Sequence, residues 1–429
     1  MLTSSSEPRQ LFSISIWLDD LLVNQFNRFA CVDNNGFYYS NGNIRLNGCD
    51  IARHVHFDFI GDLTSSEISN VFSTIENTDL VGELASGPLL VGALPFERST
   101  QVDLFIPELV IVTSRDKGTW ATLTLEHPVN ESLAREYLAK KLNLLSSPSG
   151  FDLSPDYFVL RSEPTKDEWL EIVKLSQAKM AERHLEKVVL SRRVHVSSSN
   201  SFTKSAILER LSHLYPTCTT FCFGDFLGAS PELLVSKIDT EIRSVPLAGT
   251  VARSGNSATD LHEIDQMLES QKQRLEHNIT STWVAARLAE YCDSVNLPKV
   301  PSVVSLRNVS HLSSSISANY SGEKKYLSAL ELARILHPTP ALAGFPIIES
   351  MDLISELEGI PRGNYGAPVG WVDSRGNGDY VVGIRSATVT GRNATLYSGV
   401  GILPDSDPRQ ELIETQLKLQ ALLSAIVRP

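Results

Sequence analysis

The sequence predicts an α+β fold, with large, mainly antiparallel sheets and helices on the outside. Three observations carry that expectation. Apolar runs in the first part of the chain are short and separated by turns, as in hairpin-connected strands. Helical and strand-like segments in the remainder follow one another without the strict alternation that a doubly wound parallel sheet requires. No segment recurs at a fixed period, and no long low-complexity linker divides the chain.

Taken in order, "LLVGALPF" (89–96) and "VDLFIPELVIVTS" (102–114) read as strands, and "ESLAREYLAKKLNLL" (131–145) as a helix. The serine-rich "SSPSG" (146–150) is loop-like and marks a soft boundary. It divides the chain into an N-terminal part, 1–155, and a C-terminal part, 156–429, of one compact domain. In the second part "KDEWLEIVKLSQAKMAERHL" (166–185) has the apolar spacing of an amphipathic helix, and "KVVLSRRVHV" (187–196) is a strand. "SAILERLSHLY" (205–215) is a helix, and "TTFCFG" (219–224) and "ELLVSKI" (232–238) are strands. Residues 261–292 form one long helical stretch, "ALELARILHP" (329–338) is a helix stopped by Pro338, and 378–402 reads as a hairpin-like pair of strands. The last helix, 407–427, opens on Asp407 as N-cap, Pro408 at the first helical position and Gln410 where a capping box wants Glu or Gln.

The chain has 429 residues, 42% of them hydrophobic and 21% charged, with a net charge of -12. It is long enough to bury a large core without disulfides. The acidic balance argues against a nucleic-acid partner, which needs clustered Lys and Arg. It does not argue against a small anionic substrate, which needs only a local positive pocket. The cysteine number is odd: Cys31, Cys49, Cys218, Cys222 and Cys292. That predicts reduced thiols and a cytoplasmic location, with Cys218 and Cys222 as core thiols rather than zinc ligands. The N-terminus lacks a basic region followed by an apolar run, and no apolar stretch approaches the ~18 residues of a membrane span.

Several residues could carry chemistry. Glu276 shares a helix face with Ile279 and Trp283, an awkward place for a carboxylate unless that face borders a pocket or a metal. Glu411, Glu414 and Lys418 form one stripe on the last helix. Spacing alone favours a surface ion pair between Glu414 and Lys418; the sharper alternative is that Glu276 and Glu414 hold Mg²⁺ from opposite walls. Gly399 and Gly401 are no dinucleotide fingerprint, but would let backbone N–H groups approach an anion. Tyr365 lies in a glycine-punctuated loop, "RGNYGAPVGW" (362–371). Arg385 sits within a strand, where it either snorkels to water or forks a substrate carboxylate. Glu232 reads as a turn glutamate after Ser-Pro, His337 as a helix-end histidine, and Lys187 as a strand-end lysine whose amine reaches water.

The order of these pieces says more than any one of them. "EKVVLSR", "GASPELLV", "PLAGT", "SQKQRLEH", "LHPTPALAGFP", "YGAPVGW", "GIRSA", "LYSGVGI" and "SDPRQELIETQLK" resemble, in sequence and order, the chorismate-utilising enzymes. That family includes isochorismate synthase, salicylate synthase, and the synthase subunits for anthranilate and aminodeoxychorismate. The match runs from about residue 160 to the C-terminus, and "VGALPF" with "VDLFIPELVI" resembles the N-terminal half of isochorismate synthases. The resemblance implies two large, mainly antiparallel sheets packed as a sandwich, with the substrate between them. It implies Glu276 and Glu414 as Mg²⁺ ligands, with Glu411 reaching the metal through water. It places Arg385 and Tyr365 at the enolpyruvyl carboxylate, and Gly399, Gly401 and Lys418 at the ring carboxylate. Thr250, Ala341 and Leu342 match substrate-contacting positions, and His337 matches a pocket residue close to the reacting ring.

Lys187 separates the subfamilies. The anthranilate-type enzymes, which use ammonia, resemble this stretch with a non-basic residue there; the water-adding enzymes carry lysine. Water is a poor nucleophile, so a base must take its proton as it attacks C2. The C4 hydroxyl is a poor leaving group, so an acid must protonate it. Lys187 suits the base and Glu232 the acid. The resemblance therefore implies an isomerase: a Mg²⁺-dependent isochorismate synthase turning chorismate into isochorismate, with menaquinone synthesis as the expected pathway and siderophore synthesis as its alternative. The runner-up is a salicylate synthase, which goes on to expel pyruvate. An anthranilate or aminodeoxychorismate synthase subunit stands further off, because Lys187 is present and a Leu-Leu-Glu-Ser feedback motif is absent. A non-catalytic chorismate-binding protein would not need Lys187, Glu232, Glu276 and Glu414 together. The expected partner is chorismate alone, without an amidotransferase, in a monomer or weak dimer.

Overall fold

The computed structural model describes residues 10–19, 28–34, 36–145, 157–321 and 327–427. The serine-rich boundary at 146–150 lies outside the described residues. The class is α+β, and among the described residues every strand pairing but one is antiparallel, the exception joining Leu11–Trp17 to Ile75–Asp79. Twenty strands are linked in one continuous hydrogen-bonded network. A separate three-stranded sheet is made by Leu247–Ala252, Val309–Ser313 and Ser302–Ser305. The N-terminal and C-terminal parts of the chain share the large network: Phe37–Ser40 pairs with Thr219–Phe223, and Leu89–Ala93 with Pro368–Asp373.

The strand Lys187–Ser198 shows how the sheet makes a site. Side chains alternate between the two faces of a strand. Val188 and Leu190 pack with Trp169, Val173 and Met180 of the helix Lys166–Arg183, and with Leu353 and Ile354 of the helix Ile347–Glu358. Lys187 and Val189, one residue out of phase, face a cavity on the other side. The neighbouring strand Asn393–Ile402 repeats the pattern, with Val400 and Ile402 in the helix-side core and Gly399 and Gly401 at the cavity. Gly401 pairs with Val189 and Gly399 with Ser191. Because both faces are covered, the first six residues of Lys187–Ser198 are all buried rather than alternately exposed.

Three sequence expectations change. The helical stretch 261–292 is two helices, Ser257–Glu269 and Gln271–Ala289. Ser270 leaves the helical region at ψ 118°, and its hydroxyl accepts from the amide of Gln273, so serine's capping preference breaks the run. The expected strand pair at 378–402 is three strands, Gly378–Val382, Ser386–Thr390 and Asn393–Ile402. Arg385 therefore lies between strands, in the left-handed region at φ 50°. Lastly, Cys31 and Cys49 are joined as a disulfide, whereas Cys218, Cys222 and Cys292 are free and buried. Among the described residues no helix is long and apolar enough to cross a membrane.

Candidate active site

The cavity holds about 720 Å³ of empty space, its open mouth included, and its wall gathers most of the residues singled out by sequence. Lys187 is only 2% exposed. The reading of its amine as reaching water is thus overturned. Its neighbour across the strand pair explains how it fits: a Cβ on Gly401 would stand 2.6 Å from the lysine Cε. A Cβ on Gly399 would likewise stand 2.7 Å from the Tyr365 hydroxyl. These two glycines clear the space that Lys187 and Tyr365 occupy. Desolvation lowers the Lys187 pKa, helped by the like charge of Lys418 and opposed by Glu276, Glu414 and Glu232.

Glu232 is 3% exposed, at the turn between the strands Phe226–Ser230 and Leu233–Ile238. Its amide donates to Ser230 Oγ at 3.3 Å, and its carboxylate accepts from the Leu247 amide at 3.5 Å. It is not the solvated turn residue that spacing alone suggests. Burial raises its pKa to about 7, against the lowering influence of the Leu247 amide, Lys187, Arg385 and Lys418. The cavity thus holds a lysine biased toward its neutral form and a glutamate biased toward its acid form, the two states that a base and an acid need near neutral pH.

Glu276, from the helix Gln271–Ala289, and Glu414, from the helix Pro408–Ile426, both line the cavity. Asp407 caps the latter helix as expected, accepting from the amides of Arg409 and Gln410. The expected Glu414–Lys418 ion pair forms at 2.5 Å, yet both partners face the cavity rather than the outer surface. Lys418 also donates to the Gly399 carbonyl at 3.1 Å. Glu411 is buried behind the lining, 3.4 Å from Lys272. Burial first, then the charge of Glu414, raises the pKa of both Glu276 and Glu411. Among the described residues no three acidic, His or Cys side chains already stand at metal-ligand spacing. The donor set nevertheless suits a hard divalent cation: two carboxylates from separate helices repel each other at one cavity wall, with a third close behind.

At Arg385 the chain builds a fork with spare donors. Its Nη2 meets His311 Nε2 at 3.1 Å. His311 Nδ1 lies 3.1 Å from the Gly249 carbonyl and 3.2 Å from Thr250 Oγ1. Burial first, then Arg385 and Lys418, lower the His311 pKa far below its ordinary value. The ring is therefore neutral, with Nδ1–H donating to Gly249 and Nε2 accepting from Arg385. The strained backbone of Arg385 is held by its carbonyl, which accepts from the Ala229 amide at 3.1 Å.

Thr250, Ala341, Leu342, Tyr365, Arg385, Gly399, Gly401 and Lys418 all line the cavity. His337 does not. Its ring packs edge-on against Phe96 and its Nε2 lies 3.2 Å from the Phe96 carbonyl; burial drives its pKa down to about 3. It is a neutral core residue behind the Ala341–Leu342 wall, so the expectation of a place beside the reacting ring is corrected. Sequence reasoning missed His311, which reads as one polar residue among apolar ones in "VSHLSS", and Arg362, which only opens the glycine-rich loop. Arg362 donates to Glu358 through Nε at 2.9 Å and Nη2 at 2.5 Å, to the Leu342 carbonyl at 2.9 Å and to the Val189 carbonyl at 2.7 Å. Its guanidinium sits 4.5 Å from the Phe96 ring centroid. It ties the Lys187 strand, the Leu342 wall and the Tyr365 loop together.

Comparison with known proteins agrees with this geometry. The sequence profile of the family described as "Chorismate binding enzyme" matches residues 2–427. The isochorismate synthase DhbC of Bacillus subtilis (strain 168) is 32% identical over 353 residues, 80% of this chain and 81% of its own. The isochorismate synthase MenF of the same strain is 31% identical over 363 residues, 80% of this chain and 75% of its own. The solved structure of MenF, the menaquinone-specific isochorismate synthase from Escherichia coli, superposes with a TM-score of 0.79, covering 97% of this chain and 94% of that one. At 22% identity that likeness shows the fold alone.

Proposed function

The chain belongs to the chorismate-binding enzyme family, and from that premise we propose that it is an isomerase converting chorismate into isochorismate. One observation carries the reading: Lys187 and Glu232 line the same cavity, each wholly buried, with pKa values displaced in opposite directions.

In the proposed reaction Lys187, as the neutral amine, takes a proton from water as the water oxygen bonds to C2. The ring double bonds shift, the C4–O bond breaks, and Glu232 gives its proton to the departing hydroxyl, which leaves as water. One water enters and one leaves, so the product is an isomer of the substrate. Arg385, held by neutral His311, offers free N–H donors to the enolpyruvyl carboxylate, with Tyr365 beside it. The glycine strand and Lys418 face the ring carboxylate. Glu276 and Glu414 would hold Mg²⁺, with Glu411 behind them, and the cation would offset the charge of that carboxylate.

Relatives named MenF and DhbC match equally well, at 31% and 32%, so we propose the reaction and not the pathway. The test is to incubate the pure protein with chorismate and Mg²⁺ and resolve the products by chromatography. Isochorismate alone supports the reading. Salicylate with pyruvate would move it to a salicylate synthase, and anthranilate formed with ammonia would overturn Lys187 as the base that selects water.

A further inference from the structure

Away from the catalytic cavity, three arginines converge on a second pocket. Arg98, Arg287 and Arg334 line it together with Phe59, Ile60, Gly61, Tyr291 and Ile335. It holds about 690 Å³ of space open to solvent. In a chain of net charge -12 such a cluster runs against the overall balance. No carboxylate is among the residues lining the pocket. Glu290 accepts from Arg287 Nη1 at 2.8 and 2.9 Å, and Glu331 from Arg334 Nη2 at 3.1 Å, both from beyond the lining.

The remaining donors are poorly used. Arg98 donates Nη2 to the His337 carbonyl at 2.7 Å, and among the described residues it has no carboxylate partner. Guanidinium groups crowd together only where something offsets their repulsion. That repulsion is felt here: burial first, then the like charges of Arg287 and Arg334, lower the Arg98 pKa. The walls are rigid supports. Arg287 stands on the helix Gln271–Ala289 and Arg334 on the helix Ala329–Leu336, and Arg334 Nε is fixed to the Leu63 carbonyl at 3.2 Å.

We propose that the Arg98–Arg287–Arg334 pocket binds a small di- or polyanion of the phosphate class. Planar N–H forks from three directions suit a group with several equivalent oxygens. Phe59, Ile60 and Tyr291 give the same pocket an apolar side. The pocket adjoins catalysis through one short path: Arg98 grips His337, and the turn that follows carries Ala341 and Leu342 into the cavity wall.

The test is titration calorimetry of the intact protein with pyrophosphate, without Mg²⁺, at fixed ionic strength in chloride. We expect saturable one-site binding that Arg98→Gln weakens at least tenfold. Arg98 is exposed over part of its surface and its contact to His337 is only partly buried, so Arg98→Gln should keep its fold; Arg98→Lys, which retains the charge but loses the fork, should weaken binding by less. Arg385→Gly, in the catalytic cavity, should leave the pyrophosphate affinity unchanged. Absence of saturable binding at millimolar pyrophosphate would overturn the site. So would binding that survives Arg98→Gln intact, or that disappears with Arg385→Gly.

Discussion

Arg362 and Arg385 both line the cavity that holds Lys187 and Glu232, and they are held in opposite ways. Arg362, 3% exposed, spends its donors on Glu358 and on two carbonyls; burial pulls its pKa down, but Glu358, with Tyr365 and Glu97, raises it overall. Arg385, 8% exposed, has a neutral imidazole as its hydrogen-bond partner, sits at φ 50°, and burial lowers its pKa. The first belongs to a saturated layer that fixes the wall. The second belongs to a group, with Lys187 and Glu232, that makes no close ion pair among the described residues and whose charged forms burial disfavours. A substrate with two carboxylates can use only the second kind. If the proposed roles hold, stability and chemistry rest on different residues of one wall, and substitutions should separate them.

The largest separation is expected from Lys187→Gln. It should lower kcat about 10²–10⁴-fold, the usual value of a positioned base, with no loss of Tm because burial already disfavours the lysine's charged form and a neutral amide fills the same space. Near-wild-type turnover would remove Lys187 from the chemistry. Arg362→Met should do the reverse, costing about 3–5 kcal/mol of stability in denaturant unfolding because Glu358 is left buried without its partner. Arg385→Gly should cut kcat/KM about 10–100-fold, the value of about 1.5–3 kcal/mol for a charged hydrogen bond. Its unfolding midpoint should match or exceed the wild type, since glycine accepts the left-handed backbone without strain. A clear drop in stability would merge the two regions and break the comparison.

The smallest effect is in the pH profile. As the proposed acid, Glu232 must be protonated to act, and burial raises its pKa to about 7. Turnover should fall above that value, approaching tenfold per pH unit, and Glu232→Gln should remove this alkaline limb. As the proposed base, Lys187 must be neutral, and its pKa is lowered, so the acid limb should belong to it and vanish in Lys187→Gln. An alkaline limb that persists in Glu232→Gln would assign the acid elsewhere.

Sequence reading went furthest where local pattern and tertiary role coincide. The strand Lys187–Ser198 and the capped helix Pro408–Ile426 follow from periodicity and turn chemistry. The gathering of Lys187, Glu232, Glu276, Arg385 and Glu414 at one cavity followed only from the family resemblance, because spacing favoured a solvated residue or left the choice open at each. What was illegible depends on contacts between distant segments. His311 matters because Arg385 and Gly249 meet its two nitrogens, and Arg362 because Glu358, Val189 and Leu342 converge on it. The Cys31–Cys49 disulfide joins residues that the cysteine count gave no reason to pair. Arg385 looked like a strand residue because its neighbours are apolar, and only the turn between two strands exposes its left-handed backbone. His337 kept its histidine for the Phe96 carbonyl, a structural role that a motif cannot distinguish from a functional one.

The central claim is that this wall makes water the nucleophile. The direct measurement is turnover of chorismate with Mg²⁺ in ¹⁸O-enriched water, with the isochorismate read by mass spectrometry before the reverse reaction scrambles the label. The account predicts one ¹⁸O in each isochorismate, at the C2 hydroxyl, formed at the wild-type rate and lost with the activity in Lys187→Gln. Unlabelled isochorismate would show that the substrate's own hydroxyl migrates, and would contradict it.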